Sequence, residues 1–206
     1  MTTSSSKMSG HSIAFLSSLV LLLTLFTSCE KEKDKNSAAY FINESEKLII
    51  PATIDLPANP PHGNTRVATF YAEGVQKYWS QAKAGSSPVT YDWVFVAPEA
   101  TLYDISNKKV GTHSAGPTWQ LSATDSIYAQ QFSPAKSAPG TEASSIDWLQ
   151  LMPKTGKTPT GAFANVAYIQ RIATRGGKAP TTLPLSAGET IDIKYTAIYR
   201  FTRINP

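Results

Sequence analysis

The chain has 206 residues, 19 Lys and Arg against 15 Asp and Glu, a formal charge of +4 and one cysteine. A chain of this size buries roughly two-thirds of its unfolded surface on folding, so it needs no disulfide staple, and a lone cysteine excludes an internal one. The modest charge supports solubility but lacks the dense basic patch that nucleic acid requires, so no nucleic-acid partner is expected.

The first predicted element is an uncharged apolar run over residues 12–26, SIAFLSSLVLLLTLF. A spanning helix needs roughly 20 apolar residues, whereas a secretory h-region takes about 7–15, so residues 1–28 are predicted to be a signal peptide. Lys7 and His11 make a weakly basic start, which an internal initiation at Met8 would shorten. Leu25-Phe26-Thr27-Ser28-Cys29 resembles the lipobox of bacterial lipoproteins, with Phe26 bulkier than the usual residue at its place. That resemblance implies cleavage before Cys29 and lipid attachment there, making the bilayer a partner; two or more acyl chains anchor stably where one does not. The alternatives are an ordinary signal peptide followed by a chance cysteine, and an uncleaved helix.

Residues 29–37 read as a charged tether, because Glu30-Lys31-Glu32-Lys33-Asp34-Lys35 is too polar to pack. The run resembles the stretch behind the lipid cysteine in surface-exposed lipoproteins of the Bacteroidetes. With Glu30 after the cysteine, the expected address is the cell envelope, as an outer-membrane lipoprotein facing the periplasm or the cell surface. Residues 51–62, with four prolines, predict an extended lead-in.

Strand patterns dominate the remainder. Over 190–203, Ile191, Ile193, Tyr195, Ala197, Tyr199 and Phe201 share one parity, and Thr190, Asp192, Lys194, Thr196, Arg200 and Thr202 the other. This predicts a long strand with one buried and one wet face, Ile198 being the exception on the wet side. Further strands are predicted at 66–72, 75–81, 90–96, 101–104, 118–123, 126–132, 146–152 and 164–173, punctuated by Gly, Pro, Ser and Asn. The expected fold is all-β, an antiparallel β-sandwich or closed β-barrel of about 8–10 strands with long loops, forming a single domain over 38–206.

Three kinds of site can be weighed against the residue types. Gly111-Thr112-His113-Ser114-Ala115-Gly116-Pro117-Thr118-Trp119 carries the residue best suited to proton transfer near neutrality. Asp147, Glu99, Asp92 or Arg171 would assist His113 if the fold brings them together; the alternative is a histidine bonded across a tight loop with Trp119 in the core. A metal site is not expected, since histidine occurs only at 11, 62 and 113 without ligand spacing, and no cofactor motif is present. The third kind is a binding face, for which His113, Trp119, Trp148, Arg171 and Arg175 supply aromatic surface and polar orientation. Its alternative is that tryptophans fill the core.

Several ordered motifs carry a resemblance. Gly74-Val75-Gln76-x-Tyr78, Trp93-x-Phe95-x-x-Pro98-Glu99-Ala100-x-Leu102, the 111–119 stretch, Trp148-Leu149, and 168–180 from Tyr168-Ile169-Gln170-Arg171 to Ala179-Pro180 resemble the DUF3455 family. The likeness runs from about residue 56 to 201. It implies that the His113 to Trp119 element matters, and it brings no activity. It also implies cysteines soon after the first motif and after Gly176-Gly177-x-Ala179-Pro180. Here Trp79 and residues 181–183 stand in their place, so packing of Trp79 is expected to substitute for a disulfide. The leading expectation is a noncatalytic envelope domain that binds a glycan or another envelope component. A hydrolase or lyase acting on an envelope or extracellular polymer through His113, and a purely structural protein, are the alternatives.

Overall fold

The computed structural model describes residues 1–3 and 34–206. The chain divides into two units, Met1–Glu32 and Lys33–Pro206, and every element below belongs to the second. The signal segment, Cys29 and the first part of the tether lie outside the described residues. Among the described residues no helix is long and apolar enough to cross a membrane.

Eight strands follow in chain order: β1 (Asn64–Ala82), β2 (Tyr91–Tyr103), β3 (Lys109–Ser114), β4 (Thr118–Gln120), β5 (Ser126–Ala138), β6 (Trp148–Pro153), β7 (Val166–Gly176) and β8 (Thr190–Ile204). Each pairs antiparallel with its sequence neighbour, and β8 returns to pair with β1, so the sheet closes into a ring. The closing seam is long, running from Asn64 opposite Ile204 to Trp79 opposite Thr190. Antiparallel neighbours need only short connections, which is why Gly, Asn and Pro punctuation suffices to build the whole ring.

Side chains on a strand alternate between its faces, and the inner set forms the main core. Phe70 and Ala72 of β1, Leu102 of β2, Trp119 of β4, Ile127 of β5 and Phe201 of β8 belong to it. Two strands are longer than expected. Gly74 was a natural place to divide 66–72 from 75–81, yet β1 passes straight through it. A Cβ there would run into the Glu99 carbonyl and Ala100 of β2, so the glycine permits a close strand approach rather than a break. β2 likewise continues through Pro98, which pairs with Gln76.

The outer face of β8 departs from the alternating pattern. Ile198, Arg200 and Thr202 were expected to be wet apart from Ile198, but all three are buried. The cover is a helix, α1 (Ala38–Ser45), whose first turn is capped by the Ser37 hydroxyl accepting from the Tyr40 amide at 3.1 Å. Ala38 and Ile42 of α1 and Ile54 of the lead-in form a second core with Tyr71, Trp148, Ile172 and Ile198. The lead-in is therefore a packed strap. Gln150 donates to the Asp55 carbonyl at 3.2 Å and Gln170 to the Ile54 carbonyl at 2.8 Å.

Arg200 pins α1 to the ring by donating to the Ser45 carbonyl at 2.7 Å, with Glu46 3.3 Å away. A hydrogen bond from a charged donor is worth about 1.5–3 kcal/mol. Arg200→Ala should therefore raise opening of α1 about 10–100-fold, measured as faster amide exchange at residues 38–45 with ring amides still protected. Equal acceleration throughout the ring would contradict this pinning role.

The expected substitute for a disulfide is also different. Trp79 is 46% exposed and does not fill a core. Instead the Trp93 indole donates to the Thr182 carbonyl at 3.0 Å, and Ser80 bonds the Ser186 carbonyl and accepts from the Glu189 amide at 2.8 Å. Hydrogen bonds hold the 181–189 segment where the family pattern implies a covalent link.

Candidate functional site

The ends of β1, β3, β5 and β7 meet at one end of the ring, where loops 83–90, 115–117, 139–147 and 177–189 connect them onward. Just inside that end lies a cavity of about 240 Å³. Gln76, His113, Gln131, Arg171 and Tyr199 give it polar groups, and Phe95, Val96, Pro98, Trp119 and Leu149 give it apolar walls.

His113 reaches this place because the 111–119 stretch is a hairpin with a tight turn. Three residues connect β3 to β4, and Gly116 sits at φ +134°, where a Cβ would strike the Thr118 hydroxyl. The hairpin register sets His113 opposite Trp119. Cross-strand partners point to the same face, so the two rings stack at 4.4 Å with 10° between their planes. Tyr199 packs against both, 4.9 Å from His113 and 5.0 Å from Trp119.

His113 is 3% exposed, and its Nδ1 lies 2.8 Å from the Thr118 carbonyl oxygen. A carbonyl only accepts, so Nδ1 carries the proton and Nε2 is left as an acceptor. Burial pushes the imidazole down to about 4; the Thr118 carbonyl opposes that, and Arg171 adds to it. His113 is thus neutral near pH 7 and a weak base, poorly matched to proton transfer at that pH.

Arg171 stands opposite Tyr199 across β7 and β8. Its Nε and Nη2 both donate to the Asp147 backbone carbonyl, at 3.0 and 2.8 Å, fixing the guanidinium at the mouth. Burial raises the Tyr199 phenol, with Arg171 pulling the other way. Among the described residues the Trp119 indole nitrogen is buried without a hydrogen-bond partner, while the Tyr199 hydroxyl and the Gln76 amide nitrogen, which lack a partner of good geometry, both lie near the Tyr195 hydroxyl, with Arg171 also beside Tyr199.

The structure brings His113, Trp119 and Arg171 together and sends the other candidates elsewhere. The Asp147 carboxylate points to Lys178 at 3.8 Å and is half exposed. Glu99 pairs with Lys77 on the exposed outer side of β1 and β2. Asp92 is 3.8 Å from Lys83. Trp148 and Arg175 share a different, smaller hollow of about 140 Å³ between α1 and the ring, where Arg175 lies 5.1 Å over the Phe41 ring. Among the described residues, no three His, Cys, Asp or Glu side chains gather in a metal-holding group. Sequence reasoning missed Gln76 and Tyr199 as members of the site. Their signal was available: Gln76 is a polar residue on the inward parity of β1, and Tyr199 lies on the apolar parity of β8.

A family model described as Protein of unknown function (DUF3455) matches residues 60–203. The chain belongs to the DUF3455 family. The match spans the ring from β1 into β8 and includes every polar group of the cavity, whereas α1 and most of the lead-in precede it. No curated protein and no solved structure matches the chain. DUF3455 membership brings no assigned function, so the chemistry of the cavity has to speak for itself.

Proposed function

We propose that this DUF3455 domain is a noncatalytic binding module of the bacterial envelope, tethered through an acylated Cys29, and that its ligand enters the cavity beside His113. The closed ring is read as a β-barrel, whose eight strands leave an interior wide enough to be filled or to hold one small ligand. The observation that carries the reading is the half-open hollow itself, apolar in its walls with a few convergent polar groups, which is the usual form of a small-molecule site. Its volume of about 240 Å³ suits one sugar residue or a molecule of similar size rather than a polymer.

The binding reading is preferred to a hydrolase or lyase because, among the described residues, no carboxylate lines the cavity, and His113 is held neutral with Nδ1 engaged. An acid–base pair needs two titrating groups within reach. It is preferred to a purely structural role because the Trp119 indole N–H, buried beside the hollow, meets no protein acceptor among the described residues.

Native mass spectrometry of the protein incubated with envelope extract and glycan fragments tests the site. A retained small molecule is expected, and Ala115→Phe at the cavity rim should cut its occupancy at least about 10-fold, the scale of a blocked pocket contact. Retention unaffected by Ala115→Phe would move the ligand away from this cavity. Acyl mass on the N-terminal peptide from native membranes tests the anchor, and an unmodified Cys29 would overturn that part alone.

A further inference from the structure

We infer that the cavity takes the carboxylate of a compact, largely apolar organic acid, gripped by Arg171, Tyr199 and Gln76. The inference rests on the ligand-binding reading and narrows its chemistry. Donors outnumber acceptors among the inward-facing groups, His113 Nε2 being an acceptor. Gln76 Nε2 and Trp119 Nε1 can only donate, Tyr199 can donate through its hydroxyl, and Arg171 keeps Nη1 after committing Nε and Nη2 to Asp147. Gln76, Trp119 and Tyr199 are 2%, 0% and 1% exposed, so solvent does little to satisfy them. An occupant rich in acceptors satisfies them together, whereas one rich in donors leaves them as they are.

Charge selects further. Among the described residues Arg171 is the one ionised side chain of the lining, since His113 is held neutral and none of them places an acid on the hollow. A single guanidinium matches a monoanion, and planar donors match a carboxylate. A phosphate would bring more charge than one arginine neutralises. Phe95, Val96, Pro98 and Leu149 then require the remainder of the molecule to be mostly apolar. Phe95 and Val96 are 50% and 57% exposed, so part of that apolar surface is open at the rim. The volume, below the roughly 300–1,000 Å³ of drug-sized sites, keeps the acid small.

Calorimetric titration of the full-length protein with phenylacetate, hexanoate, 2-phenylethanol, glucuronate and glucose tests this. Phenylacetate and hexanoate should bind, with 2-phenylethanol at least about 10-fold weaker, because charge-assisted bonds are roughly twice as strong as neutral ones. Tyr199→Phe should weaken phenylacetate about 10-fold while changing the melting temperature little, since among the described residues the lost hydroxyl has no protein partner of good geometry. Arg171→Gln should erase the preference for acid over alcohol. It also releases the Asp147 carbonyl, and Tyr199→Phe keeps the test open if that variant folds poorly. Equal binding of 2-phenylethanol, or no effect of Tyr199→Phe, overturns the carboxylate inference and leaves a binding cavity for a neutral ligand. Glucuronate binding more tightly than phenylacetate overturns the apolar body. Silence from all five probes, joined with no retained molecule from envelope extract, removes the binding reading as well.

Discussion

Trp119→Ala should lower stability by about 3–5 kcal/mol, the usual range for truncating a buried aromatic. Trp119 is fully buried, and its ring touches the His113 stack, Tyr199 and Phe201, 5.6 Å away, so the vacancy would open between the cavity and the main core. Native domains are stable by only about 5–15 kcal/mol, and the variant should be largely unfolded at moderate urea. Trp119→Phe keeps most of the apolar surface and removes an indole N–H that has no partner, so it should cost much less. Urea titrations followed by circular dichroism would decide. A loss below about 1 kcal/mol for the alanine variant would mean that the ring interior repacks freely.

The second large effect is on acid stability. The unfolded His113 imidazole takes a proton near its ordinary value of 6.5, while burial in the fold holds that proton off until about 4. Between these values the unfolded state binds more protons, so stability falls as pH is lowered through this window. The contribution is fully present above 6.5 and is exhausted below about 4. A gap of that size corresponds to about 3 kcal/mol. Surface carboxylates also lose pairing in acid, so the informative comparison is with His113→Asn, whose amide keeps a donor for the Thr118 carbonyl. Its stability should fall less between pH 7 and 4.5 than that of the parent. Parallel pH profiles would show that the histidine titrates normally in the fold.

Much of the sheet was legible because alternation is a local signal. Ile191 through Phe201 announced β8, and the inward parity proved to be the core face. The outer face was misread for a physical reason: whether a parity is wet depends on what lies over it, and the cover comes from residues 38–54, far away in sequence. Arg200 looked like a solvent-facing cation because its partner, the Ser45 carbonyl, is a backbone group that no side-chain pattern reveals. α1 itself had a signature, with Ala38, Phe41 and Ile42 at helical spacing behind a Ser37 cap, but it is only eight residues long and directly follows a charged run.

The candidate site divides along the same line. His113 and Trp119 were readable as a pair because one tight turn places them opposite each other. Arg171 joins them through the register of β7 and β8, and Gln76 through that of β1, which are nonlocal pairings. Asp147 and Glu99 failed as partners for His113 because their carboxylates have cations of their own at the surface. Proximity to a motif in sequence says nothing about which side of a sheet a carboxylate occupies.

The seam between β1 and β8 carries a consequence for how the molecule comes into being. Asn64 finds its partner only at Ile204, so the ring stays an open sheet until its last strand has docked. Pairing over such a separation is entropically slow, and the waiting β1 offers an edge to any other unfinished chain. Loss of β8 would therefore expose two edges at once, and aggregation rather than a smaller folded core is the expected fate of a nascent chain that stalls before residue 190.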